Sequence, residues 1–213
     1  MAVKLIELAG CFFPNACLSC GNRIAVSEFL CDSCKCLIKG PIPYELSVDG
    51  LPVRSYWWYE PPVSDVIRAY KFGKRWRLSK LIAGWLLNLL DQSLPGAGRD
   101  YAIISVPTTI QALRERGFDT NSLVLRKLRR MANYRVINAI TVAKSVLPQA
   151  SLTKEERKAA AEGKFSLRIK NLPKKVILFD DVITTGSTIR SCAKLLESAG
   201  VEDLKIFSVA RTK

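Results

Sequence analysis

The chain has 213 residues, of which 48% are hydrophobic and 24% charged, an ordinary composition for a folded globular protein with room for one full domain and a small module. Its 33 Lys and Arg against 19 Asp and Glu leave a net charge of +14, which points toward polyanionic partners such as nucleic acid or nucleotides, although a Lys-rich solvated surface would give the same balance. There is no His, so the commonest general base and the commonest metal ligand are excluded, and any metal site must be built from thiolates or carboxylates.

No apolar run approaches the ~18 residues that cross a bilayer. The longest, LIAGWLLNLL at 81–90, is short and lies within an amphipathic pattern. The opening MAVKLIELAGC has the small residues that precede a lipidated Cys. Only ten residues come before Cys11, however, and Glu7 interrupts the apolar part, which leaves no room for a signal-peptide core. The expectation is a cytoplasmic protein without membrane insertion.

Residues 1–45 are expected to form a small cysteine-rich module and 46–213 a larger domain. Six of the seven Cys fall between positions 11 and 36. Cys17-x2-Cys20 and Cys31-x2-Cys34 form two CxxC pairs ten residues apart. Each such turn offers two sulfurs from one knuckle, and four thiolates satisfy Zn²⁺ tetrahedrally with no open position, as in a structural ribbon. Gly21 suits the positive φ that such a knuckle needs. A disulfide framework would require an oxidising compartment, and a redox CxxC motif would not explain two pairs in tandem. Cys11 and Cys36 are surplus, and Cys36 competes with Cys34 for the site by spacing alone. Cys192, inside a helical pattern, reads as a small buried apolar residue.

A Pro- and Gly-containing stretch from 40 to 52 precedes an alternation of strands and helices. VRSYWWY reads as a strand and PVSDVIRAYKFG as a helix. LSKLIAGWLLNLL carries an i, i+3, i+4, i+7 face at Leu78, Leu81, Ile82, Trp85, Leu86 and Leu89. YAIISVP reads as a buried strand, NSLVLRKLRRMA as a basic helix and YRVINAITVA as strand-like. KKVILFDD is a strand, expected to end at 179, STIRSCAKLLESAG a helix, and DLKIFSVAR a strand. The implied fold class is α/β, a mostly parallel sheet flanked by helices. Ligands of such sheets bind beyond the carboxyl ends of the strands.

That is where VILFDDVITTGSTI, residues 176–189, places two carboxylates before a row of hydroxyls. Backbone N–H groups of TTGST, its hydroxyls and the following helix N-terminus suit a monophosphate. Carboxylates would repel that phosphate, so Asp180 and Asp181 should face neutral donors, and two vicinal ribose hydroxyls fit. The combination specifies a 5-phosphoribosyl group. A Walker B strand would need a GxxxxGK[ST] partner, which the chain lacks. A response-regulator acidic pocket leaves TTGST unexplained, and simple helix capping needs one hydroxyl rather than four.

Residues 176–200 resemble the phosphoribosyl-pyrophosphate (PRPP) motif of type I phosphoribosyltransferases. Joined to the cysteine pairs, KFG at 71–73, VPTTIQALRERGF at 106–118 and QASLTKEERKAAAEGKF at 149–165, the chain is similar over nearly its whole length to the ComF family, the phosphoribosyltransferase-like proteins of natural competence. The resemblance implies a type I phosphoribosyltransferase-like fold behind an N-terminal zinc ribbon, with Zn²⁺ structural on Cys17, Cys20, Cys31 and Cys34. It also implies PRPP and Mg²⁺ as ligands. Asp180 and Asp181 would hold the ribose, and Thr184, Thr185, Gly186, Ser187 and Thr188 the 5-phosphate. Thr108 and Thr109, with Arg114, Arg116 and Gly117 nearby, would lie on the pyrophosphate side, and residues 149–165 would form a loop over the site. Three positions depart from the family: Asp119-Thr120 stands where Asn-Gln is usual, and Ala160 where Asn is usual. Those amides are thereby lost.

The resemblance implies a role in DNA uptake, with single-stranded DNA as partner and the competence DNA helicase as a possible docking partner. Basic residues interleaved with aromatics suit a single strand, and the candidates are Lys71, Lys74, Arg75 and Trp76, with Arg126, Lys127, Arg129 and Arg130 on the basic helix. Tyr56, Trp57, Trp58 and Tyr59 are weaker ones, since alternation in any strand buries one Trp and shows the other. The alternative is an active transferase with an unidentified acceptor, in which Arg114, Arg116, Lys154, Arg157 and Lys158 would neutralise the departing pyrophosphate.

Overall fold

The computed structural model describes residues 15–38, 42, 46–48, 50–143 and 165–213. The cysteine-rich module begins with β1 (Asn15–Ala16), paired antiparallel with β2 (Arg23–Ile24), and ends in α1 (Asp32–Leu37). Gly21, at φ +78°, turns the chain directly after Cys20, a conformation that costs glycine little.

A hairpin of β3 (Leu46–Val48) and β4 (Leu51–Trp58) leads into α2 (Val63–Lys71) and, after a short 3₁₀ turn, α3 (Ser79–Ser93). Next come β5 (Ala102–Ser105), α4 (Ile110–Arg116), α5 (Thr120–Ala132) and β6 (Arg135–Val136). A separate antiparallel pair is formed by β7 (Ile140–Val142) and β8 (Phe165–Leu167). The domain closes with β9 (Lys175–Ile183), α6 (Ser187–Ser198) and β10 (Asp203–Arg211).

Six strands form the main sheet in the order β3-β4-β10-β9-β5-β6, all parallel except the β3–β4 hairpin. Period-2 alternation sends Ile177 and Phe179 of β9 to one face, against Ile67 and Tyr70 of α2, Ile82 and Leu86 of α3, and Val124 and Leu128 of α5. Val176 and Leu178 pack on the other face with Ile189, Cys192 and Leu196 of α6. Burial of each large side chain contributes about 1.5–3 kcal/mol, and these two clusters give the sheet its double cover. Cys192 is a buried core residue, as its helical context suggests.

The module packs onto the larger domain. Cys17, Leu30 and Cys34 share a cluster with Tyr56 and Leu86, and the Ser19 hydroxyl donates to Asp65 Oδ2 at 2.8 Å. This contact explains the broad apolar face of α3: Ile82, Leu86 and Leu89 are buried in the core, while Leu81 and Trp85 line a cleft with Phe29, Leu30 and Ile38. Among the described residues, no helix is long and apolar enough to cross a membrane.

Two boundaries differ from the sequence reading. YRVINAITVA is not one strand: β6 edges the main sheet, exposed Asn138 follows, and β7 pairs elsewhere. β9 does not stop at 179 but runs to Ile183, because β10 accompanies it as far as Arg211, pairing Asp180 with Ser208 and Ile183 with Arg211. Only the β5 side ends early, at Ser105 opposite Phe179. The acidic pair therefore sits on a strand that outruns its neighbour.

Candidate functional site

The four sulfurs of Cys17, Cys20, Cys31 and Cys34 all lie within 4.8 Å of one another, a group able to hold a metal ion. Cys36 is exposed and outside the group, although two residues from Cys34. Helix geometry separates them: with Cys34 buried toward the knuckles, a residue two positions on points away. Burial alone would raise the Cys17 thiol, but N–H groups of Cys20, Cys31 and Ser19 outweigh it and bring it down to about 6. Burial and the neighbouring thiols push Cys34 up to about 12. Four sulfurs so close resist carrying several negative charges unless a cation lies between them. Cys11 lies outside the described residues.

On the sheet, the two carboxylates find different partners. Asp181 is buried, and its Oδ1 lies 2.7 Å from Lys71 Nζ at the end of α2. Its Oδ2 is buried without a hydrogen-bond partner among the described residues. Asp180 Oδ1 accepts from Asn121 Nδ2 at 3.0 Å and from the Asp181 N–H at 2.9 Å. Desolvation, followed by the charge of Asp181, raises the Asp180 carboxyl to about 7, against the opposing pull of Asn121 and Lys71. Asn121 also donates to the Val106 carbonyl at 3.2 Å, and its own Oδ1 is buried without a donor. The site thus holds two buried acceptors that lack donors among the described residues. Such groups are costly to leave unpaired, and hydroxyl donors of a ligand would satisfy them.

The hydroxyl loop follows immediately. Gly186, in the left-handed region at φ +76°, is the N-cap of α6, and no side chain caps this helix. Thr184, Thr185 and Ser187 are exposed, and the hydroxyls of Thr185 and Ser187 approach to 3.3 Å. The hydroxyls are therefore not absorbed in capping, and the first N–H groups of a twelve-residue helix are open to an anion.

Opposite lies the turn after β5. Thr108 and Thr109 are half-buried. Thr109 is the N-cap of α4, its hydroxyl accepting from the Ala112 N–H at 3.2 Å, which gives it a structural role. Arg114 is exposed. The Arg116 guanidinium lies 5.5 Å from the centre of the Phe72 ring, with its Nε buried and unpartnered among the described residues. Arg157, with Lys154, Lys158 and the remainder of the expected loop through 164, lies outside the described residues.

The basic candidates separate into three groups. Lys71 is taken up by Asp181 and does not face outward with the others. Lys74, Arg75 and Trp76 lie on an exposed segment after α2, with Trp76 56% exposed and Arg77 against its ring. Arg126, Arg129 and Arg130 line one cleft along α5, from which Lys127 is absent. The strand aromatics are covered: Tyr56 is buried, Trp57 meets Tyr56 and Trp85, Tyr59 meets Arg68, and Trp58 meets Arg211 and Lys213.

Sequence reasoning missed Asn121. Asp119, at one of the three departing positions, caps α5 by accepting from the Ser122 N–H at 2.9 Å. The amide expected to be lost there enters the site from Asn121 instead. The signal was its place in the first turn of a helix starting directly after RGFD.

No protein-family model matches the chain. It is similar to Competence protein F of Haemophilus influenzae, 29% identical over 232 residues that cover 94% of this chain and 98% of that protein. DNA utilization protein YhgH of Escherichia coli O6:H1 is 28% identical over 199 residues, 92% of this chain and 84% of that one. Competence protein ComFC of Streptococcus pneumoniae is 28% identical over 162 residues, covering 76% and 69%. Among solved structures, a hypoxanthine phosphoribosyltransferase from Staphylococcus aureus overlays with a TM-score of 0.40 at 16% identity, over 64% of each chain. An adenine phosphoribosyltransferase from Thermoanaerobacter pseudethanolicus gives 0.38 at 17%, over 84% of this chain and 98% of that one. Those overlays are too loose to argue from. The larger domain itself has a mostly parallel sheet, with the acidic pair and the hydroxyl loop at its carboxyl edge. Along nearly its whole length the chain is similar to proteins named Competence protein F and DNA utilization protein YhgH.

Proposed function

We propose that this protein binds PRPP with Mg²⁺ and acts in competence-linked DNA uptake, handling incoming single-stranded DNA in the cytoplasm. The observation that carries the PRPP half is the pairing of an α6 N-terminus with two carboxylates at the same sheet edge; among the described residues that N-terminus has no side-chain cap and one carboxylate has a buried oxygen without a donor. The 5-phosphate would take the α6 N–H groups and the Thr185 and Ser187 hydroxyls. The ribose hydroxyls would donate to Asp180 and Asp181, with Asn121 fixing the orientation of Asp180. Mg²⁺, held largely by oxygens of PRPP itself, would neutralise the diphosphate. Zinc on Cys17, Cys20, Cys31 and Cys34 would stiffen a module with too few apolar residues to fold alone.

The DNA half rests on the names of the relatives, Competence protein F and DNA utilization protein YhgH, and on the +14 charge. Lys74, Arg75 and Trp76 form an exposed basic and aromatic segment shortly after Lys71, suited to phosphates on cations and a base on the ring. A second reading, a phosphoribosyltransferase with an unidentified acceptor, is favoured by Arg116, whose buried Nε lacks a partner among the described residues and whose charge would stabilise departing pyrophosphate. A competence DNA helicase as docking partner is compatible with either.

Two assays on the metal-loaded full chain separate these readings. A DNA-handling protein binds an oligothymidylate with steep salt dependence and releases no pyrophosphate from PRPP with any purine, pyrimidine or amine offered. A transferase releases it with one acceptor and loses that release in Asp180→Asn. A chain that binds neither PRPP nor the oligonucleotide contradicts both.

A further inference from the structure

A second cleft, of about 280 Å³, opens at the same edge of the sheet, beside the acidic pair rather than at it. Arg126, Arg129 and Arg130 line it, together with Ser105, Ser122 and Asn138. Ser105 ends β5, and Asn138 follows β6 by two residues, so the cleft occupies the carboxyl ends of the two outermost parallel strands, where open α/β sheets bind ligands. The partition between the two places is the hydrogen bond from Asn121 to the Val106 carbonyl. Asn121 faces Asp180 on one side, while its neighbour Ser122 and the residue before Val106 line the cleft on the other.

Among the described residues, charge at this cleft is uncompensated. The three arginines lie at i, i+3 and i+4 of α5, where like charges repel. All three are exposed, and none makes an ion pair among the described residues. No carboxylate of the described residues lines the cleft. Planar guanidinium forks converging from one helical turn match the oxygens of a phosphate. The rest of the lining is not basic: Leu125, Val136 and Ile137 supply an apolar floor, on which a planar ring can lie.

We infer that this cleft is a nucleotide-binding site separate from the PRPP site, with the phosphate on Arg126, Arg129 and Arg130 and the base over Leu125, Val136 and Ile137. The inference goes beyond the function proposed above and stands whether or not the acidic pair binds PRPP. It rests on the DNA-handling reading only for the choice of a deoxynucleotide as probe. The same chemistry is offered by a free mononucleotide and by a nucleotide within a single strand.

The test uses the full metal-loaded chain, thymidine 5′-monophosphate, thymidine, a ten-residue oligothymidylate and the variant Arg129→Ala/Arg130→Ala. Both arginines are exposed, so the fold is expected to survive, and circular dichroism checks it. The monophosphate binds and thymidine does not, and the variant weakens the monophosphate at least tenfold while leaving the Mg²⁺–PRPP titration as it was. Displacement of the monophosphate by the oligothymidylate identifies the strand as the source, and failure to displace identifies the free nucleotide. Absence of monophosphate binding to the unmodified chain overturns the inference. So does binding that the variant retains, which would place the phosphate in the hydroxyl loop instead. If the oligothymidylate still binds the variant while the monophosphate binds nothing, the DNA-handling reading stands and this site does not.

Discussion

Lys71 Nζ and Asp181 Oδ1 stand 2.7 Å apart, with side chains 14% and 5% exposed, at the junction of α2 and the carboxyl edge of β9. The pair ties the candidate sugar site to the start of the exposed Phe72–Arg77 segment. Asp181 has no other hydrogen-bond partner for its carboxylate oxygens among the described residues.

Removing the cation should therefore be costly. Lys71→Met leaves a nearly buried carboxylate alone, which typically destabilises by about 3–5 kcal/mol. The double variant Lys71→Met/Asp181→Asn should recover most of the loss, since neither charge then remains. Urea unfolding of the wild type, both single variants and the double variant gives the coupling directly. A Lys71→Met cost below about 1 kcal/mol, the ordinary worth of an exposed pair, would mean that the ion pair does not persist in solution.

Asp180 should make stability fall as pH rises toward neutrality. Its carboxyl is raised to about 7, chiefly by desolvation and then by Asp181. Between the ordinary carboxylate range and pH 7 the native chain keeps a proton that the unfolded chain has released, so the unfolded state gains stability with each step in pH. The contribution is complete at acid pH, is lost through that window and levels off above it. Asp180→Asn removes the penalty. Its melting temperature should match wild type near pH 4 and exceed it by several degrees at pH 8, corresponding to a few kcal/mol. PRPP binding should be lost in the same variant. Parallel pH-dependence in the two proteins would contradict the assignment.

The cysteine group should hold one zinc per chain. Cys34→Ser should abolish retention, whereas Cys36→Ser should keep it, because Cys36 lies outside the group. Chelation should also disturb the larger domain, since Leu30 and Cys34 share a cluster with Tyr56 and Leu86, and Trp85 packs against it. The checks are metal release on thiol modification and near-ultraviolet circular dichroism before and after chelation.

On the exposed segment, Trp76→Ala should weaken oligothymidylate binding by about 1–3 kcal/mol if one base stacks on the ring. Lys74→Ala/Arg75→Ala should reduce the salt slope by roughly 0.7 for each single-strand phosphate that is no longer neutralised. Trp58→Ala should do neither, because Arg211 and Lys213 already lie against that ring. Fluorescence anisotropy at four salt concentrations distinguishes these outcomes.

Much of this structure is legible in the chain itself. Alternating apolar periods foretell the sheet and its helices, and the CxxC spacing picks out the four sulfurs that meet. What escapes is long-range. Whether β9 ends at 179 depends on how far β10 runs beside it, which no local pattern contains. Lys71 reads as an outward cation because nothing nearby in sequence hints at Asp181, 110 positions away. Simple alternation shows one of Trp57 and Trp58 to solvent, but the end of β4 is covered on one side by Trp85 and on the other by Arg211 and Lys213. Beyond its place in the first turn of a helix, Asn121 carries no local sign of its role, because its partner, too, comes from a distant strand.

The most direct test is calorimetric titration of PRPP with Mg²⁺ into the zinc-loaded protein, with Asp180→Asn/Asp181→Asn as control. The expected result is saturable binding at one site per chain, lost in the double variant while circular dichroism stays native. No heat at two temperatures, or equal binding by the double variant, would contradict the assignment of the acidic pair and hydroxyl loop to a 5-phosphoribosyl ligand.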